Sequence, residues 1–147
     1  MRGILIAGAA TASLMAALPA AAGTPAGTMA EFGLIGEWSK ACASPVSEAN
    51  TRSIFEALPD GTARLTLSFG TAGEIVYTVT KARILSRQLI VISETNASGQ
   101  PADVTIAMDG RRTRVIASRD PSINQTFIAA GVLLSSGRET NWETRCP

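Results

Sequence analysis

The sequence of 147 residues contains no histidine. This absence excludes the Ser–His and Cys–His pairs that activate many nucleophiles, histidine metal ligands, and a side chain whose ordinary pKa lies near neutrality. An enzyme would have to rely on carboxylates, tyrosine, lysine or an added cofactor, and we find no glycine-rich phosphate loop and no metal-ligand spacing. We therefore expect a non-catalytic protein without a metal or a cofactor.

The sequence also lacks an excess of charge of either sign. It has 13 basic and 12 acidic side chains, a formal net charge of +1, and only 5% aromatic residues. Binding to nucleic acid or to an anionic membrane surface normally requires a clear positive excess. We expect neither partner.

One long uncharged run is present near the start of the chain. Residues 4–18 follow the positively charged Met1–Gly3, and 15 residues are too few for a relaxed membrane span, which needs about 20. Ala20 and Ala22 then offer the small residues of a signal peptidase site. This pattern predicts a cleaved signal peptide over residues 1–22, in preference to a retained anchor. The mature chain is then periplasmic or secreted, without a membrane span, and we expect it to be a monomer.

The mature chain has only two cysteines, Cys42 and Cys146. An even pair of cysteines in an exported chain is most simply a disulfide. This one would close a loop of 104 residues, and the absence of histidine disfavours a metal pair. We predict a disulfide.

The remaining sequence predicts an all-β domain. Residues 23–33 are rich in Gly, Ala, Thr and Pro and predict a flexible N-terminal segment. From residue 34, short apolar or alternating runs are separated by turn signals such as Asp60-Gly61 and Asp109-Gly110. The predicted strands are 34–40, 53–58, 63–69, 74–80, 89–95, 104–108, 114–118, 126–130 and 140–146. This spacing favours one antiparallel barrel of about eight strands, a meander, over residues 34–147, with a β-sandwich as the alternative.

Each cysteine follows a tryptophan by four residues, as Trp38 precedes Cys42 and Trp142 precedes Cys146. Residues four apart on an extended strand share a face. A disulfide would bring the first and last strands side by side, as a closed barrel requires. In that arrangement the two indoles lie on opposite sides of the bridge.

Gly36-Glu37-Trp38 on the predicted first strand resembles the G-x-W signature of lipocalins and related small barrels. The resemblance implies that Trp38 seals one end of the barrel and that an arginine from a late strand, Arg138 or Arg145, packs over it. It also implies a ligand-binding barrel. The strands are shorter than those of lipocalins, which argues against a large cavity.

The chain is also similar to small exported bacterial inhibitors of metalloproteases, which are compact barrels with an early G-x-W and one disulfide. In that case residues 23–26 would enter the protease cleft. The general layout, with G-x-W-x-x-x-C early and W-x-x-R-C late, most resembles small exported proteins of Gram-negative bacteria whose function is unknown. These resemblances lead to three hypotheses: a barrel that binds a small apolar ligand or a protein partner, a protease inhibitor, and an envelope-associated structural domain without a dedicated ligand.

A few side chains remain as candidates for chemistry. Glu139 and Glu143 are spaced to share a strand face with Asn141, which gives a conceivable carboxylate pair, although a solvated outer face is favoured. The arginines 111, 112 and 114 form either a basic tip or a solvated turn, and the second interpretation is favoured. Tyr77 alternates with apolar neighbours and is predicted to lie in the core.

Overall fold

The structure, a computed structural model, describes residues 23–147. The predicted signal peptide lies outside the described residues. The elements are α1 (Pro25–Phe32), β1 (Gly36–Ser39), β2 (Arg52–Ala57), β3 (Ala63–Ser68), a 3₁₀ turn (Gly70–Ala72), β4 (Glu74–Ser86), β5 (Leu89–Asn96), β6 (Pro101–Asp109), β7 (Arg112–Asp120), β8 (Gln125–Ala129), β9 (Val132–Leu133) and β10 (Glu143–Arg145). Within these residues, no helix has the length and hydrophobicity needed to cross a bilayer.

Eight strands form a closed antiparallel barrel, as predicted. Strands β1 to β7 pair consecutively, and β10 closes the barrel by pairing with both β1 and β7. The strands β8 and β9 are not part of the closed ring. They form a hairpin that branches from the second half of β7, where Ser118–Asp120 pair with β8. The predicted meander therefore holds through β7 and is interrupted by this hairpin before the last strand.

Alternation along the strands places the core inside the barrel. In β5, for example, Ile90, Ile92 and Glu94 are buried while the residues between them are partly exposed. The strand β4 is the longest, at 13 residues, and its pairing with β5 shifts register twice. Such irregularities increase local twist, which lets one long strand bend around the barrel.

The prediction of a flexible segment over residues 23–33 is wrong. Pro25–Phe32 form α1, which packs against β4, β2 and β5, and its Ala26, Met29 and Phe32 are buried. Thr24 caps the helix by accepting a hydrogen bond from the Gly27 N–H, Pro25 occupies the first turn, and Gly33 ends it at φ 84°. The interpretation from composition overlooked a helix signal in the order of the residues, namely a threonine cap, a proline in the first turn, a glycine at the end and apolar residues at helical spacing.

The helix and one buried tryptophan close one end of the barrel. The Trp38 side chain is 1% exposed, and its indole N–H donates to the Leu34 carbonyl at 2.8 Å. The Arg145 guanidinium lies over the indole, 5.2 Å from the ring centroid, and donates to the carbonyls of Gly33 and Ile35. Arg145 thereby connects β10 to both β1 and the end of α1.

The disulfide between Cys42 and Cys146 is present, with a Cα–Cα distance of 5.4 Å. In the β1–β10 register, Cys146 continues opposite Glu37, whose carbonyl accepts from the Cys146 N–H. Cys42 lies five residues beyond Glu37, so the chain must turn back after β1 to reach its partner. The expectation that each tryptophan shares a strand face with the cysteine four residues later is therefore wrong, because both cysteines lie beyond the strands.

The Asn50 side chain stabilises the loop that brings Cys42 back towards Cys146. Its side-chain oxygen accepts from the Ser39 hydroxyl and from the Ala41 N–H, each at 3.0 Å. Its amide nitrogen donates to three carbonyls within the same loop, those of Ala41, Ser44 and Pro45. One buried side chain thus fixes the conformation that presents Cys42 to Cys146.

A substitution at Gly36 tests the packing at the closed end of the barrel. Its φ is 137°, and a Cβ there would lie 2.8 Å from one terminal nitrogen of Arg145, whose guanidinium donates through its two terminal nitrogens to two carbonyls. We expect Gly36→Ala to lower the free energy of unfolding by about 3 kcal/mol or more, since it adds backbone strain and displaces the guanidinium. The measurement is urea unfolding followed by tryptophan fluorescence.

The matched control is Gly110→Ala. Gly110 also has a positive φ, 61°, but has open space around its Cβ position. It should cost only the backbone penalty of about 1–2 kcal/mol. Equal losses in the two variants would contradict a fixed Arg145 at the closed end.

Candidate functional site

A cavity of about 850 Å³ opens to solvent at one side and extends into the barrel. This volume lies within the range of about 300–1,000 Å³ typical of small-molecule sites. It is larger than the comparison with lipocalin strand lengths led us to expect. The deeper wall is apolar, and its main members are Phe55, Leu65, Leu67, Ile92, Val104 and Ile106.

Two carboxyl groups interrupt this apolar wall. Glu94 projects from β5, next to Ile92 on the same face, and Glu143 projects from β10, opposite the buried Thr113 of β7. Burial raises the pKa of Glu94 to about 7. Burial likewise raises the pKa of Glu143 to about 7, against the effect of a hydrogen bond with Ser53.

Tyr77 lies beside Glu94 in the cavity wall. Burial, and secondarily the charge of Glu94, raise the pKa of the Tyr77 phenol. A smaller cavity of about 330 Å³ shares Tyr77, Glu94 and Ser118 with the main one. Its other lining residues include Asn96 and Gln100, which makes it the more polar of the two.

The mouth of the main cavity is lined by charged side chains of both signs. Lys40, Glu48, Arg138 and Glu139 line it and are exposed. Because these four side chains are exposed, the acidic groups that lie deeper in the cavity are those of Glu94 and Glu143.

The β8–β9 hairpin forms part of the same wall. Ile128 and Leu133 line the cavity, and Arg114 ties the hairpin to the barrel. Its guanidinium donates to the Gly131 carbonyl at 2.7 Å and to the Thr140 hydroxyl at 3.0 Å, and it pairs with Glu139 at 3.3 Å. Arg114 is therefore a structural side chain here and not part of a free basic tip.

The residues predicted to close one end of the barrel are only partly brought together. Gly36, Trp38 and Arg145 meet there, so the choice between the two candidate arginines falls on Arg145. Arg138 is exposed at the mouth of the cavity. Trp142 precedes β10, and its ring lies 5.0 Å from the Arg112 guanidinium and 5.9 Å from that of Arg114. Placing Arg138 and Trp142 at the closed end was wrong. Trp142 lies before β10 begins, and Arg138 lies at the mouth of the cavity.

The remaining candidates fall on or near the cavity. Glu139, Asn141 and Glu143 all line it, so a solvated outer face was wrong for Glu143. Glu94 was not among the candidates, although its alternation with Ile90 and Ile92 could have indicated an inward carboxyl. Within residues 23–147, no three carboxylates or thiolates come together as metal ligands.

A buried carboxyl with a pKa near 7 can exchange a proton with a ligand or bind a cation. Among the described residues, Glu94 has no hydrogen-bonded partner with which to form a catalytic pair.

No protein-family model matches this chain, and neither a curated protein nor a solved structure is significantly similar to it. The lipocalin, inhibitor and Gram-negative resemblances therefore stay predictions.

The two raised pKa values predict an unusual pH dependence of stability. Between about pH 4.5 and pH 7 the unfolded chain loses the protons of Glu94 and Glu143 while the folded chain keeps them, so stability falls as pH rises. We expect Glu94→Gln to be more stable than the natural chain at pH 8 by up to about 3 kcal/mol, with the difference nearly gone at pH 4.5. Urea unfolding across this range measures it.

Glu56→Gln serves as the control for this experiment. Glu56 is exposed, pairs with Arg64 and does not line the cavity. Its difference from the natural chain should not grow between pH 4.5 and pH 8. A Glu94→Gln curve parallel to that of the natural chain would contradict the buried ionisation.

Proposed function

We propose that this protein is an exported, non-catalytic β-barrel that binds a small ligand with a largely apolar body in its central cavity. The observation that carries the proposal is a cavity of about 850 Å³ whose deeper wall is apolar. An apolar ligand would bury its surface against the deeper wall, and such burial is favourable at about 25 cal/mol per Å² of apolar surface removed from water.

The two ends of the barrel differ in a way that supports ligand entry from one side. One end is sealed by α1, Trp38 and Arg145. The mouth is lined by exposed polar side chains such as Lys40 and Glu48. A ligand entering there would place its apolar part against Phe55 and its neighbours.

The predicted signal peptide and the disulfide support a place of action outside the cytoplasm, in the periplasm or beyond it. Disulfides persist in oxidising compartments and are rare in the cytosol. The closed barrel itself exposes few strand edges, which favours a monomer.

The protease-inhibitor alternative has less support. Residues 23–26, which would have to enter a protease cleft, form the start and cap of α1, and Ala26 is 7% exposed. The Ala26 N–H also donates to the Gly61 carbonyl in the β2–β3 turn. Since no specific observation favours inhibition, or an envelope role without a ligand, both stay predictions.

A cavity-filling substitution tests the proposal. We expect the natural chain to bind the neutral dye Nile red with a one-to-one stoichiometry and enhanced fluorescence. Leu67→Trp, which places an indole in the cavity wall, should weaken dye binding at least tenfold. Overpacking costs about 1–3 kcal/mol in stability, so circular dichroism must confirm that the variant is folded.

The matched control is Leu85→Trp, which makes the same change at a position that is 43% exposed on β4. It should leave dye affinity unchanged. Native mass spectrometry of the purified natural chain gives an independent readout through any ligand retained from the cell. A natural chain that binds no dye and carries no ligand would overturn the proposal.

A further inference from the structure

The Glu94 carboxyl is the most unusual group in the cavity. The residue is 6% exposed, and its Oε2 atom is enclosed and without a hydrogen-bond partner. The five ion pairs of the described residues all involve other acidic side chains. When this carboxyl is ionised, a buried charge without a partner is strongly unfavourable, and a cation placed on it would offset that cost.

The basic side chains around the cavity do not supply that partner. Arg114 is occupied by Gly131, Thr140 and Glu139. Lys40 and Arg138 are exposed at the mouth, where solvent holds them. The second deep carboxyl, Glu143, adds to the negative field inside the barrel when it is ionised.

Resting on the proposed function, we propose that the cavity takes a cationic amphiphile, with its ammonium or amidinium group on the Glu94 carboxylate. Its apolar body then lies along the wall formed by Phe55, Leu65 and Ile92. The juxtaposition of an apolar pocket with one enclosed, unpartnered carboxyl defines this class of ligand.

Electrostatics separates this ligand from neutral and anionic ones. A cation forms a charge-assisted hydrogen bond to Glu94, and such bonds are roughly twice as strong as neutral ones. An alcohol gains only a neutral hydrogen bond. A carboxylate ligand meets two like-charged groups, Glu94 and Glu143, in a medium that screens them poorly.

The smaller cavity provides room for the head group. Glu94 and Ser118 lie in the walls of both cavities, and the smaller one adds the polar side chains of Asn96 and Gln100. Remaining N–H groups of an ammonium or amidinium can donate to the side-chain oxygens of Gln100 and Ser118, while the Asn96 oxygen already accepts three hydrogen bonds from Ser98 and Gln100. The apolar and polar parts of the ligand thus have separate, adjoining places.

The test compares three probes with the same alkyl chain: dodecylamine, dodecanol and sodium dodecanoate, all below micelle-forming concentrations. Displacement of Nile red at pH 7.5 measures the affinity of each. We expect dodecylamine to bind at least tenfold more tightly than dodecanol, and dodecanoate to bind more weakly than dodecanol. Glu94→Gln should remove the advantage of the amine and leave the affinity for dodecanol unchanged.

Glu56→Gln, which alters an exposed carboxyl outside the cavity, should keep the preference of the natural chain. Equal affinity for the three probes, or an unchanged preference in Glu94→Gln, would overturn this inference while dye and dodecanol binding still supported the cavity function. If neither dye nor dodecanol binds, the proposed function itself fails.

Discussion

The contact between Arg145 and Trp38 is the interaction on which the closed barrel depends. The last strand, β10, has only three residues, so its pairing with β1 and β7 provides few backbone hydrogen bonds. Arg145 compensates because its guanidinium donates to two backbone carbonyls and covers the indole of Trp38. Charge-assisted hydrogen bonds are worth about 1.5–3 kcal/mol each and a desolvated cation–π contact about 2 kcal/mol. These values are comparable to the whole net stability of a small domain.

The disulfide reinforces the same closure from a different direction. It joins Cys146, just after β10, to Cys42 in the loop that Asn50 folds back. A link across 104 residues reduces the conformational freedom of the unfolded chain and stabilises by about 4–5 kcal/mol in the chain-entropy model. Arg145 acts on the folded state and the disulfide mainly on the unfolded state. The barrel is therefore closed by two devices whose effects are largely independent.

The parts of the fold that were predictable are those set by local pattern. The alternation of Leu65 and Leu67 with polar residues gives a strand, and Asp109-Gly110 opens a tight turn at φ 61° for Gly110. Strands that follow one another with short turns pair in sequence, which leads to a barrel. The disulfide followed from the even cysteine count.

The incorrect predictions have physical reasons of two kinds. Some depend on tertiary packing, as in α1, where eight residues gain their stability from burying Met29 and Phe32 against the barrel. Others depend on where the chain leaves its strand. Trp142 lies just before β10 and not within it, which places its ring beside arginines of β7. Sequence spacing contains neither piece of information.

The cavity explains why the chain tolerates a carboxyl in its interior. Replacing Glu94 by an apolar residue would remove a desolvation cost and extend the apolar wall above Ile92. A chain selected for stability alone would gain from that change. Departures from local consistency of this kind concentrate at functional sites, where stability is given up for a specific contact. The unpartnered Glu94, set beside the apolar wall of the cavity, has the physical features of such a departure.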